Sequence, residues 1–187
     1  MALTKVRGAG VDADGQEVIL DADGDTSITA DTDDQIDIKV GGSDKLKVDA
    51  NSHLVTNTAG TSNFVLGVNA GNSIASGGNY NVALGDEAGT AITTGDRNIA
   101  IGFEAGTAIS TGGENVAIGY QALKTEDGHG LNIAIGSEAL ENLNAGADGN
   151  NVAVGHNAGK NVTTAIECTF VGYLAGDAVT SNPGCTA

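Results

Sequence analysis

The side chains in this chain that could serve as nucleophile, base or soft metal ligand are few: His53, His129, His156, Cys168 and Cys185. Group-transfer chemistry needs a nucleophile within reach of a base, and a metal needs ligands at short, regular spacing; no pair among these residues has that spacing. The carboxylates are more suggestive. Asp12–Gly15 and Asp21–Asp25 offer closely spaced hard oxygens, like the start of a calcium loop, and glutamate recurs at Glu87, Glu104 and Glu138. Neither acidic stretch continues to the glutamate that completes an EF-hand loop, so both read as acidic turns and the glutamates as solvated carboxylates. Calcium is the one cofactor these oxygens would suit. The expectation is a chain that is not an enzyme, with no catalytic, cofactor-binding or metal residue.

Those residues sit on a repeat. NFVLGVNAG from Asn63 is followed by NVALGDEAG from Asn81, NIAIGFEAG from Asn98, NVAIGYQAL from Asn115, NIAIGSEAL from Asn132, NVAVGHNAG from Asn151 and a diverged CTFVGYLAG from Cys168. A period near 17 residues is too short for a helical hairpin repeat. The alternation of Val82 and Leu84 with Ala83 predicts a strand, and the apolar position seven residues after the motif glycine (Ile74, Ile92, Ile109, Leu143, Val162, Val179) predicts a second one. Glycines at Gly77, Gly95, Gly112 and Gly146, with His129, Ala165 and Asn182 in the other units, mark a corner needing positive φ. The predicted fold is all-β: a parallel β-solenoid of about seven 17-residue rungs, roughly 34 Å long at about 4.8 Å per rung.

Each column of the repeat becomes a ladder along such a rod. Asn63, Asn81, Asn98, Asn115, Asn132 and Asn151 are expected to form a structural ladder of amides bonded to the rungs above and below. If Val82 and Leu84 fill the coil, the middle column points away: Val65, Ala83, Ala100, Ala117, Ala134, Ala153 and Phe170 then form the predicted subunit interface, because an uncharged alanine column gains little from standing in water. The residue after the motif glycine varies, and Phe103, Tyr120, His156 and Tyr173 make it the candidate recognition column. Lys124–Gly130 replaces the usual apolar segment and is expected to bulge as a small loop. Cys168 and Cys185 lie one rung apart, within Cα reach of a disulfide, but in-register parallel side chains rarely reach the required dihedral, so buried thiols are expected.

The units NVAIGYQAL and NIAIGFEAG resemble the head repeats of YadA-type trimeric adhesins, and still more the longer repeats of bacteriophage tail fibres. MALTKVRGAGV is similar to the opening of tail-fibre-like proteins of marine phages. The resemblance implies a homotrimeric β-roll used as a shaft or in adhesion, attached through its N-terminal end, in contact with other virion proteins and a host surface receptor. A bacterial surface adhesin is one alternative. A flat-surface-binding solenoid such as an ice-binding protein is another, suggested by Thr90 with Thr107, Thr93 with Ser110, and Thr94 with Thr111.

The remaining expectations concern organisation and place. Residues 1–58 read as a small β module, with strands at Glu17–Leu20, Thr26–Thr29, Gln35–Val40 and Lys45–Val48 between acidic turns; residues 59–180 are the solenoid and 181–187 a tail. Eight Lys and Arg against 24 Asp and Glu, a formal charge of −16, argue against nucleic acid or an anionic membrane as partner. With no apolar run long enough for a signal peptide or a membrane span, the chain is expected to be made in the cytoplasm and to act in a virion or extracellular appendage, without membrane insertion.

Overall fold

A computed structural model describes residues 18–20, 23–24, 26–30, 36–41, 43–48, 54–56, 58–181 and 184–186. The chain divides into two compact units, residues 1–57 and 58–187.

In the first unit five strands form an antiparallel meander: β1 (Val18–Ile19), β2 (Ser27–Ala30), β3 (Ile36–Val40), β4 (Ser43–Val48) and β5 (Leu54–Thr56). Four of them fall on the predicted segments, and β5 was missed. The polar residues at Asp23–Gly24 turn the chain between β1 and β2, with Gly24 at φ 80°. Alternation exposes Ile28, Ile36 and Val40, so this sheet covers little apolar surface by itself.

The second unit is the solenoid. Seven strands of three residues each, β6 (Phe64–Leu66), β7 (Val82–Leu84), β8 (Ile99–Ile101), β9 (Val116–Ile118), β10 (Ile133–Ile135), β11 (Val152–Val154) and β12 (Thr169–Val171), stack in chain order as one parallel sheet. Register is exact column to column: Val82 faces Ile99, Ala83 faces Ala100 and Leu84 faces Ile101. The longer step between Gly136 and Gly155 is absorbed by exposed residues 146–148, leaving Ile133 paired with Val152.

The remainder of each coil differs from the expected second strand. The segment carrying Ile92 and Ile109 is a run of turns and bends, yet it still bonds rung to rung, for example Thr93 N to Ser110 O at 2.8 Å and Thr163 N to Thr180 O at 2.7 Å. Its residues cannot extend because left-handed positions crowd the coil. The second residue after the motif glycine (Asn69, Glu87, Glu104, Gln121, Glu138, Asn157, Leu174) has φ between 54° and 59° in every rung. The expected corner glycines have two reasons. Gly77 and Gly146 do take positive φ, at 107° and 70°. At Gly95 crowding decides instead: a Cβ there would strike the Gly112 carbonyl of the next rung. Asn182 lies outside the described residues.

Candidate functional site

The ladder asparagines are buried in all six rungs that carry them. Their side chains bond backbone rather than each other for the most part. Asn81 Oδ1 accepts the backbone N–H of Asn98 at 2.8 Å, while Asn81 Nδ2 donates to Gly95 O at 2.8 Å, the far end of its own coil. Asn98 repeats both bonds toward Asn115 N and Gly112 O. One amide thus closes a coil and joins it to the next, which an ionised carboxylate could not do, since it accepts but has no proton to donate.

The pleat is the reverse of the expected one. Ala83, Ala100, Ala117, Ala134, Ala153 and Phe170 have no exposed surface within a single chain, and Val65 packs against the same core. They line the lumen and cannot be the subunit interface. The physical reason is the width of the coil. Ile92 and Ile109, also fully buried, reach across from the opposite arc, so the strand facing them has room for a methyl group alone. A Cβ on Gly106 would already lie 2.7 Å from Ile109 Cδ1. Lumen positions vary in size from rung to rung: Leu123 and Leu140 replace the glycine in the rungs whose arcs carry Glu126 and Leu143, and Phe170 enters the rung whose arc carries the smaller Val179.

Val82, Ile99 and Val116, with Leu84, Ile101 and Ile118, therefore stand on the outside of the sheet, half-exposed in β7–β9. Exposure rises toward the end rungs, reaching 68% at Leu66 and 61% at Val171. Of fourteen outward positions on β6–β12, Thr169 is the one polar residue. This stripe is roughly 29 Å long and about 10 Å wide from strand spacing, on the order of 300 Å². Sequence reasoning missed it because alternation identifies two faces without saying which is inside. The cue was size, since six alanines fit a narrow interior better than a pair of branched columns does.

The variable column borders this stripe. Phe103 and Tyr120 stack with ring centroids 5.8 Å apart and planes 12° apart, and His156 lies against Tyr173 at 5.6 Å. All four are exposed, with Ser137 separating the two pairs. Beside them the recurring glutamates are engaged rather than free. Glu87 accepts from Asn69 Nδ2 and Thr90 Oγ1, Glu104 from Gln121 Nε2 and Lys124 Nζ, and Glu138 pairs with Lys160, which also meets Glu141 at 3.2 Å. The Lys124 hydrogen bond, helped by Gln121, holds the Glu104 carboxyl below its ordinary range, and Glu104 in turn raises Lys124. Glu138, with Glu141 second, raises Lys160. Within the threonine grid, Thr90 Oγ1 bonds Asn69 O and Thr93 Oγ1 bonds Ser110 O, backbone carbonyls of adjacent rungs.

The irregular rung does not bulge as expected. Glu126 turns inward, fully buried, into the column otherwise held by isoleucine, leucine and valine. One carboxylate oxygen accepts from His129 N at 3.2 Å and lies 3.3 Å from His129 Nδ1; the other accepts from Ala145 N at 3.1 Å in the following rung. With exposed Asp127 these two form the one Glu/Asp/His group among the described residues compact enough to approach a common ion, but both Glu126 oxygens are already used. Cys168 and Cys185 are joined in a disulfide with Cα atoms 4.5 Å apart, against the expectation of thiols; the tight rung spacing brings the sulfurs together. His53, the Asp12–Gly15 stretch, the opening segment MALTKVRGAGV and most of Asp21–Asp25 lie outside the described residues. Among the described residues no helix is long and apolar enough to cross a membrane. No family model matches the chain, and no curated protein or solved structure is significantly similar to it.

Proposed function

We propose that this chain is a structural, non-enzymatic protein whose solenoid associates with copies of itself through the outward Val, Ile and Leu stripe of β6–β12. That stripe carries the proposal. A parallel sheet is ordinarily covered on both faces, and here the lumen covers only one. A uniform apolar stripe running along a repeating rod is self-complementary, and the stacked rings of Phe103 and Tyr120 extend it with residue types enriched at interfaces. Among the described residues able to do chemistry, His129 is held by Glu126, His156 packs on Tyr173 and both cysteines are bonded to each other, which supports a non-catalytic reading.

The likeness of NVAIGYQAL and NIAIGFEAG to tail-fibre and adhesin repeats makes the assembly a homotrimer and the rod part of a virion or surface fibre that meets a host surface. Changing Ile101 and Ile118 together to Asp places charges on the stripe without touching the lumen. The double variant is expected to keep its β circular dichroism and to sediment at the mass of one chain, while the parent sediments at three. A parent that is monomeric at micromolar concentration, or a variant that retains the parent's mass, refutes self-association through this face.

A further inference from the structure

The amide ladder stops one step before the solenoid's last described contact. Cys168 occupies the next ladder position, fully buried, and gives its N–H to Asn151 Oδ1 at 3.0 Å as an asparagine there would. It has no amide oxygen to receive the following rung. Cys185, in the ladder position of that rung, donates its N–H to Cys168 Sγ at 3.2 Å, and the two sulfurs are bonded. Around the bond, Thr169 N donates to Cys185 O at 2.7 Å, Gly184 N donates to Ile166 O at 2.8 Å and Thr186 bridges Thr169. A covalent, redox-dependent link thus stands where the six preceding rung junctions use an amide.

We propose that Cys168–Cys185 is a redox clasp, open in a reducing cytosol and closed only where the chain meets an oxidising medium, and that it decides whether residues 184–186 dock on β12. Closure joins the two Sγ atoms and passes two electrons and two protons to a low-molecular-weight disulfide, which departs as two thiols. Opening by a dithiol reverses this. Its thiolate attacks Sγ of half-buried Cys185 and Cys168 leaves as thiolate; the reagent's second thiol then displaces Cys185 and closes into a disulfide. Both cysteines finish as thiols. The neighbouring junctions are indifferent to this chemistry, so the effect is confined to one end of the ladder. The inference does not depend on the self-association proposed above.

Hydrogen exchange on the full chain, with and without a dithiol, tests it. The oxidised chain is expected to protect the amides of Thr169 and Gly184. Reduction should accelerate their exchange about a hundredfold, the size of the constraint from a closed loop of some 15 residues, and leave Ile99 and Val116 unchanged. Cys168→Asn, which restores the ladder amide, is expected to keep Thr169 protected whether or not dithiol is present. Three results overturn the proposal: free thiols at both positions in non-reducing buffer, exchange at Thr169 and Gly184 that reduction leaves unchanged, or reduction that opens Ile99 and Val116 equally.

Discussion

The antiparallel module and the solenoid use the same kinds of residue to different effect. In residues 18–56 each described strand pairs antiparallel with its neighbour in sequence, and the described apolar side chains Ile28, Ile36 and Val40 remain 39–49% exposed. In residues 58–186 each strand is only three residues long, too short to be stable in a hairpin, yet six consecutive rungs have a lumen with no exposed surface at the strand. The difference lies in where the bonds go. A solenoid rung bonds both neighbours along strand, arc and asparagine, so a short strand is fixed by position rather than by its own length. The lesson is that burial in this chain follows from closure of a narrow coil, which the module lacks.

The largest expected effect comes from putting a charge in the lumen. Ala117→Asp would strand a carboxylate between Ala100 and Ala134 with no partner, costing more than about 4 kcal/mol. The solenoid should lose its cooperative melt in circular dichroism while hydrogen exchange in β2–β4 is little changed. If exchange in the module accelerates equally, the two units are one cooperative block and the contrast between them fails.

A smaller loss is expected from Glu126→Ala, which leaves the His129 and Ala145 amides without an acceptor and opens a cavity in the arc column. Denaturant titration should show destabilisation of about 3 kcal/mol. Glu126→Gln, which keeps one acceptor oxygen, should lose less. A neutral alanine variant would mean that the buried carboxylate contributes nothing to closing this rung.

The smallest effect concerns the surface pair Glu104 and Lys124. The lowered carboxyl contributes stability above its ordinary pKa near 4.3, and that contribution is lost as pH falls through the lower folded value. The raised amine contributes below about 10.4, and its contribution is lost as pH rises through the higher folded value. Between these limits Lys124→Met should cost under about 1 kcal/mol, since both groups are partly solvated. It should also remove part of the acid and alkaline limbs of the solenoid's melting profile. An unaltered pH profile would show that the pair is too well screened to matter.

The sequence by itself determined the number of rungs, their register and the identity of the ladder, because these follow from residue types recurring in phase: asparagine at 63, 81, 98, 115, 132 and 151, and glycine four residues later. It also located four of the module's strands from alternation alone. Three things were decided only by tertiary structure. A period of two is symmetric under exchange of faces, so the position of Ala100 inside and Ile101 outside depended on the width left by Ile109 across the coil. Glu126 looked like the start of a loop because polarity in sequence favours the surface, whereas two backbone amides from adjacent rungs gave its carboxylate a place inside. Cys168 and Cys185 could be placed one rung apart from their spacing, but bonding them required the side-chain directions that only the stacked coils fix.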